Sequence, residues 1–107
     1  MRILLVCAGG FSTSLLAERV KESLDSKDDY IEARPISDVK NIIEEFDIVL
    51  VAPQAKYKFD DIKRIANAHS KKVGLIDGKL MSTMDGKKII EQIKKLMEEW
   101  LWKMKIV

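Results

Sequence analysis

Two hydrophobic patterns alternate along the chain. Three short runs made mostly of Ile, Leu and Val lie at residues 2–6, 47–52 and 72–76. Continuous apolar runs of this length are typical of strands that are buried on both faces of a sheet. Residues 30–36 alternate more loosely between apolar and polar side chains. The sequence therefore predicts four strands, at residues 2–6, 30–36, 47–52 and 72–76.

Between these runs, apolar residues recur at the spacing of an α-helix. Ser12 offers a hydroxyl group to cap the first helix, and Ser37 and Asp38 offer caps for a second, short helix. We predict helices over about residues 12–25, from 37 to about 45, around 59–66 and from 86 onward, with a loop at 77–85.

Strands that alternate with helices indicate a single α/β domain, over residues 1–107, with a four-stranded parallel sheet flanked by helices. Right-handed crossovers and the commonest doubly wound arrangement give the strand order 2-1-3-4. In this order, the second strand lies on one side of the first strand and the third strand lies on the other. Ligands of such sheets bind at the carboxyl ends of the strands, at the point where the order reverses. The loop Cys7 to Ser14 and the loop Pro53 to Tyr57 are therefore expected to meet.

Composition narrows the class of protein. The chain has 107 residues, 47% of them apolar, and a formal net charge of +2 in which both signs are interspersed. Such a charge does not favour nucleic acid as a partner. A single cysteine and the lack of a long apolar segment favour a cytoplasmic protein without membrane insertion. One His and one Cys are too few for a structural zinc site, so we expect no metal, and we expect no cofactor.

Candidate chemistry is concentrated in the loop after the first strand, Cys7-Ala8-Gly9-Gly10-Phe11-Ser12-Thr13-Ser14. Two glycines allow the backbone to curl, so that its N–H groups and the positive end of the following helix can form a nest for a phosphate dianion. The same field favours the thiolate of Cys7, which makes this residue a candidate nucleophile. The alternative is that Cys7 is only a small buried residue at a strand end, but a structural cysteine needs neither the glycines nor the hydroxyl cluster.

Two segments resemble one known family. Residues 3–16, Ile-Leu-Leu-Val-Cys-Ala-Gly-Gly-Phe-Ser-Thr-Ser-Leu-Leu, resemble the phosphorylation loop of lactose/cellobiose-type IIB components of the bacterial phosphoenolpyruvate-dependent sugar phosphotransferase system. Residues 47–57, Asp-Ile-Val-Leu-Val-Ala-Pro-Gln-Ala-Lys-Tyr, are similar to the third strand and Pro-Gln loop of that family. After Ile76 the likeness is only one of pattern, and the Trp100-Leu101-Trp102 ending is not a family signature.

The resemblance implies that Cys7 accepts a phosphoryl group from a phosphohistidine on an A component and passes it to a sugar bound by a membrane C component. The phosphoryl oxygens would then be held by the loop and by Gln54. Gln54 has an equally simple alternative role, in which its amide satisfies carbonyl groups of its own loop. The residues assigned to phosphoryl binding are Ala8, Gly9, Gly10, Phe11, Ser12, Thr13, Ser14 and Gln54.

Two other functions remain open at this stage. Low-molecular-weight tyrosine phosphatases resemble this chain in fold, but their loop carries an arginine where Thr13 stands here, and we find no Asp-Pro pair to supply the general acid. A phosphocysteine-bearing regulatory module would have the same sequence features as a transport component. The sequence does not identify the sugar or the oligomeric state.

Several further residues allow two interpretations. Phe11, Ala55 and Tyr57 are predicted to form a docking rim for the A and C components, although Phe11 alternatively packs inward against the first helix. We interpret His69 as part of a helix C-terminus rather than as a phosphohistidine or an acid–base group. Met97 and Trp100 fit the apolar stripe of the last helix, whereas Trp102 lies off it.

Overall fold

A four-stranded parallel sheet with the strand order β2-β1-β3-β4 forms the centre of the computed structural model. The strands are β1 (Arg2–Cys7), β2 (Tyr30–Pro35), β3 (Ile48–Val51) and β4 (Lys72–Leu75). The predicted fold class and the predicted order are both confirmed.

The described residues are 1–8, 11–24, 28–83 and 85–106, and the description leaves out the side chains of 11–13, 81 and 100–106. The described helices are α1 (Phe11–Ser23), α2 (Val39–Ile42), α3 (Phe59–Ala68), α4 (Gly78–Thr83) and α5 (Gly86–Ile106). Turns of 3-10 helix occupy Ile36–Asp38, Ile43–Glu45 and Pro53–Lys58. Among these helices, none combines the length and the apolar content that a membrane crossing requires.

Two apolar layers enclose the sheet, because alternate strand residues point to opposite faces. On one face, strand residues such as Ile3 and Leu5 pack against α1 and α5. On the other face, Leu4 and Val6 pack against residues from α2, α3 and the turns beside them. The largest fully buried side chains are Phe46, Ile3, Leu4, Leu5, Leu16, Ile43, Ile48, Leu50, Ile62, Ile76, Ile89 and Ile93.

Helix α1 begins at Phe11, one residue before the predicted start. Ser12 is therefore the second residue of the helix and does not occupy the capping position assigned to it. The predicted end near residue 25 is also too late, because the helix ends at Ser23.

The predicted second helix is divided into three pieces. Its α-helical part covers only Val39–Ile42, between two 3-10 turns. Asp38 stands at the N-terminus of α2 but makes no side-chain capping hydrogen bond. Its carboxylate instead accepts hydrogen bonds from the guanidinium group of Arg34. The proposed capping role of Asp38 is therefore wrong, because an ion pair has taken its carboxylate.

The predicted loop at residues 77–85 contains a short helix, α4. Asp77 Oδ1 accepts a hydrogen bond from the N–H of Lys79 at 2.7 Å, which satisfies one of the free donors in the first turn. Asp85 acts in the same way at the start of α5, accepting hydrogen bonds from the N–H groups of Lys87 and Lys88. Asp77 and Asp85 are therefore the sequence signals for two successive helix starts.

Helix α3 ends in a Schellman motif. His69 is the C-cap residue, Ser70 has a positive φ of 58°, and the N–H of Lys71 bonds to the carbonyl of Ala66 at 2.8 Å. The imidazole of His69 also contacts the carboxylate of Glu44. His69 therefore lies at a helix C-terminus, as predicted.

Helices α1 and α5 approach closely at Gly86. A Cβ atom added to Gly86 would lie 2.5 Å from the carbonyl oxygen and 2.8 Å from the carbonyl carbon of Arg19. Real Cβ atoms do not come this close to backbone atoms, so only glycine fits at the crossing without a shift of one helix.

We expect Gly86→Ala to lower the free energy of unfolding by about 1–3 kcal/mol, because the two helix backbones must move apart. Gly78→Ala is the matched control, since an added Cβ there meets nothing within 4 Å. Alanine at that helical position should be neutral or slightly stabilising. Urea unfolding of both variants measures the difference, and equal stabilities would contradict the close-contact explanation.

Candidate functional site

Cys7 is the last residue of the central strand β1 and lies at the carboxyl edge of the sheet. Its side chain is buried, with 7% of its surface exposed. Hydrogen bonding of β1 to β2 on one side and to β3 on the other leaves the strand end little freedom to move. The sequence of β1 therefore places the only cysteine of the chain at a defined point next to the first loop.

The first turn of α1 follows Cys7 after residues 8–10. The first N–H groups of a helix have no partners within the helix, and they carry its positive partial charge. No acidic residue stands in the first turn of α1, so the helix does not neutralise this charge itself. This end of α1 is consequently suited to an anion.

The structure describes only part of the predicted phosphoryl-binding loop. Ala8 and Ser14 are exposed, while Gly9 and Gly10 lie outside the described residues. Phe11, Ser12 and Thr13 are placed in the first turn of α1 by their backbone, but their side chains are not described. The assignment of Ala8, Gly9, Gly10, Phe11, Ser12, Thr13 and Ser14 to phosphoryl binding therefore stays a prediction.

The turn after β3 begins beside the end of β1. The N–H of Ala52 donates to the carbonyl of Val6 at 2.9 Å, directly before Cys7 in the chain. Pro53 then begins the 3-10 turn, and the N–H of Ala55 bonds back to the carbonyl of Ala52 at 2.9 Å. The start of the turn after β3 is thus held next to the end of β1, as the strand order predicts.

The predicted residues of this turn point in different directions. Gln54 is exposed, and Tyr57 has 72% of its surface exposed. Ala55 has no exposed surface and packs into the core beneath the turn. Of the two docking residues proposed in this turn, only Tyr57 offers its side chain to a partner, while Ala55 supports the turn from inside.

Arg34 is a feature of the site that the sequence analysis did not single out. Its carbonyl oxygen accepts a hydrogen bond from the thiol of Cys7, with 3.7 Å between sulfur and oxygen. Its guanidinium group holds Asp38 with two nitrogen atoms, Nε at 2.9 Å and a terminal nitrogen at 2.8 Å. The position of Arg34 just before Pro35, four residues from an aspartate, was the available sequence signal.

Arg34 makes ion pairs with two carboxylates, those of Asp38 and Glu32. The hydrogen bond with Asp38, followed by the negative charge of Asp38, raises the pKa of Arg34 above its ordinary value. Glu32 adds a longer ion pair at 3.8 Å. The guanidinium group is therefore occupied by carboxylates of its own chain and is not free to clamp a phosphate in this arrangement.

The other candidate for phosphorylation, His69, lies away from this edge. His69 precedes β4 and therefore stands at the opposite edge of the sheet, against Glu44. Within the part of the chain that the structure describes, no three His, Cys, Asp or Glu side chains cluster as metal ligands would. Met97 is half-buried on α5, while the side chains of Trp100 and Trp102 fall outside the description.

Known proteins share both the sequence pattern and the fold. Residues 2–92 match the sequence profile described as "PTS system, Lactose/Cellobiose specific IIB subunit". A curated relative, the oligo-beta-mannoside-specific EIIB component of the PTS system of Bacillus subtilis (strain 168), is 33% identical over 98 residues, which cover 90% of this chain and 95% of the relative.

Two solved structures superpose well on the described fold. The cellobiose-specific phosphotransferase IIB component from Borrelia burgdorferi has a TM-score of 0.74 and 30% identity, covering 92% of this chain and 93% of its own. The lactose-specific IIB component domain from Streptococcus pneumoniae has a TM-score of 0.78 at 17% identity, covering 89% and 95%, and so supports the fold alone. Because the profile and the curated relative both span most of the sequence, this chain belongs to the lactose/cellobiose-specific IIB subunit family of the sugar phosphotransferase system.

Proposed function

We propose that this chain is a cytoplasmic phosphoryl carrier whose Cys7 accepts a phosphoryl group from a phosphohistidine on an A component and delivers it to a sugar bound by a membrane C component. The observation that carries the proposal is the position of Cys7 at the end of the central strand, shortly before a helix N-terminus without acidic residues. Membership of the IIB family supports this role for the chain.

The proposed reaction has two transfers. In the first, the N–P bond of the phosphohistidine breaks and a P–S bond forms at Cys7, and the thiol proton ends on the imidazole of the donor. In the second, the P–S bond breaks, a hydroxyl oxygen of the sugar takes the phosphoryl group, and the hydroxyl proton returns to sulfur. Each transfer conserves charge and protons, and the proposal assigns no metal or cofactor to the carrier.

Binding of the phosphoryl oxygens is assigned to the backbone N–H groups from Ala8 to Ser14 and to the hydroxyls of Ser12, Thr13 and Ser14. Gln54 is exposed on the neighbouring turn, and we assign its amide to contact the phosphoryl oxygens from that side. Main-chain donors and a helix N-terminus are suited to a dianion that arrives and leaves on a partner protein.

We expect incubation with a phosphorylated A component to add one phosphoryl group to the chain, located at Cys7. Cys7→Ser should abolish acceptance, because the serine hydroxyl ionises far less readily than the thiol. Intact mass measurement followed by peptide mapping under mild conditions tests both points. His69→Gln is the matched control and should be labelled normally, whereas label at His69 would refute the assignment.

The wild-type chain should hydrolyse aryl phosphates barely above background. Thr13 stands where a phosphatase of this fold has its arginine clamp, and the guanidinium group of Arg34 is held by Asp38. Loss of such a clamp lowers turnover by about 10²-fold or more. Release of nitrophenolate measures this activity, and robust turnover that disappears in Cys7→Ser would favour a phosphatase instead.

The proposed docking rim is tested by substitution of Phe11 and Tyr57. Because Tyr57 is 72% exposed, Tyr57→Ala should leave the free energy of unfolding nearly unchanged and weaken the complex with the A component by about 1–2 kcal/mol. Tyr57→Phe, which keeps the ring, is the control. Phe11→Ala distinguishes docking from inward packing, since lost stability with unchanged affinity would indicate packing. Normal transfer to and from both partners in both alanine variants would rule out the rim.

A further inference from the structure

Strand β2 forms an open edge of the sheet. It stands first in the strand order, so β1 lies on one side of it and, within the described residues, no strand lies on the other. The N–H of Tyr30 donates to the carbonyl of Met1, directly before β1. Because backbone groups alternate in direction along a parallel ladder, the even-numbered residues of β2 bond to β1. The N–H and C=O groups of Ile31 and Ala33, and the C=O of Pro35, therefore point outward along the open edge.

The opposite edge of the sheet, at β4, is shielded. The N–H of Ile76 donates to the carbonyl of Val51, so the carbonyl of Leu75, one residue earlier, points outward. The side-chain nitrogen of Gln92 on α5 donates to that carbonyl at 2.8 Å. Along the other edge, an open groove lies between α1 and residues 30–33 of β2. The edge at β2 is therefore the one that another strand can reach.

Two side chains of β2 give this edge a charge pattern. Glu32 and Arg34 carry opposite charges on the same face of the strand. Asp38 occupies two nitrogen atoms of the guanidinium group, and the third lies 3.8 Å from Glu32, beyond hydrogen-bond distance. Glu32 thus holds Arg34 only loosely and can exchange this contact for one with Arg34 of a second copy. Edge charges of one sign repel an identical strand, whereas this pair of opposite signs is complementary to itself in antiparallel orientation.

Symmetry and charge together select one register. A two-fold axis sets identical strands antiparallel and pairs outward-facing residues with outward-facing residues. An axis at Glu32 would oppose two glutamates, an axis at Arg34 would oppose two arginines, and an axis at Ile31 would pair only residues 30–32 of the strand. An axis at Ala33 sets Glu32 of each copy opposite Arg34 of the other, which is favourable on both sides of the axis.

We propose that two copies of this chain pair through β2 around a two-fold axis at Ala33, which joins their sheets into one continuous sheet. At the axis the two Ala33 residues exchange N–H···O=C bonds, and the N–H of each Ile31 donates to the C=O of Pro35 in the other copy. Pro35 has no N–H and ends the paired segment. Because the interface is small, the dimer is weak and reversible, with a dissociation constant of about 10–100 µM.

This arrangement is compatible with the candidate functional site. Antiparallel pairing turns the carboxyl edges of the two sheets in opposite directions, so the two Cys7 residues lie at opposite ends of the joined sheet. Tyr57 follows β3, which lies on the far side of β1 from the proposed interface. The inference concerns a surface that the proposed function does not use, and its tests need no phosphoryl donor.

Sedimentation equilibrium from about 10 µM to 1 mM tests the charge pattern, since this range brackets the expected dissociation constant. Glu32→Arg should raise the dissociation constant about tenfold, because it sets arginine against Arg34 on both sides of the axis. Glu22→Arg is the matched control. It makes the same change of charge in an exposed ion pair of α1 and should dimerise like the wild type.

Ala33→Pro tests the backbone pairing. The N–H of Ala33 points outward, so proline there removes the central donors of the interface and leaves the bonds between β2 and β1 intact. This variant should stay monomeric up to about 1 mM. Urea unfolding shows whether it is folded, and Glu32→Arg decides the question at an exposed side chain if it is not.

Disulfide cross-linking tests the register in a Cys7→Ser background. Opposite residues of a hydrogen-bonded antiparallel pair have Cα atoms about 5.5 Å apart, within the range of a disulfide. Ala33→Cys should therefore give a cross-linked dimer about tenfold faster than Lys63→Cys, which reports random collision from the exposed surface of α3.

Three results would overturn the proposal. A wild-type chain that sediments as a monomer at every concentration shows that the edge does not pair. A dimer that neither Glu32→Arg nor Ala33→Pro weakens uses another surface. Equal cross-linking rates for Ala33→Cys and Lys63→Cys exclude the axis at Ala33.

Discussion

Strand β1 is hydrogen-bonded on both edges and covered on both faces, so its polar backbone and its apolar side chains must all be satisfied inside the protein. Leu4, Leu5 and Val6 have no exposed surface, and the strand pairs with β2 and β3 along most of its length. A strand in this position cannot slide by one residue, because the slip would exchange the two core faces. The position of Cys7 follows from this register.

The two ends of β1 are secured by different interactions. At the amino end, the backbone N–H of Arg2 donates to Asp47 at 2.8 Å, and its guanidinium group lies over the rings of Tyr30 and Phe46, at 4.6 and 5.5 Å from their centroids. At the carboxyl end, the Arg34 carbonyl and the turn after β3 meet the chain around Cys7. The amino end is therefore bound by side chains, while the candidate nucleophile Cys7 lies at the other end.

The sequence predicts the parts of the fold that are marked by apolar runs or by apolar residues at regular spacing. All four strands and the long helix α5 follow from such patterns. The strand order follows from right-handed crossovers and the commonest doubly wound arrangement. The sequence does not reveal α4, because a short helix that begins with Gly78 has little intrinsic propensity and depends on the cap from Asp77. The sequence also suggests the wrong role for Asp38. An aspartate before a helix can either cap that helix or form an ion pair, and only contacts in the folded structure decide which it does.

Prediction of the site is limited for a related reason. Cys7 stands out because a nucleophile type, a strand end and a glycine loop coincide in sequence. Arg34 contacts Cys7 through its backbone carbonyl and belongs to another strand, so no local pattern connects it with Cys7. Contacts of this kind become visible only when the register of β1 against β2 is known.

A carrier of phosphoryl groups must avoid reaction with water while it holds the group. An arginine clamp would hold phosphate by a bidentate charge-assisted pair and would stabilise charge during hydrolysis as readily as during transfer. Neutral backbone donors at a helix N-terminus give weaker and less specific stabilisation, so the partner that brings or removes the group must complete the site. In this chain the guanidinium group of Arg34 is held by Asp38 and Glu32, and the backbone carbonyl of Arg34 lies 3.7 Å from the sulfur of Cys7. Under the proposed function, stabilisation of the transferred group is therefore left to the loop after β1 and to the docked partner.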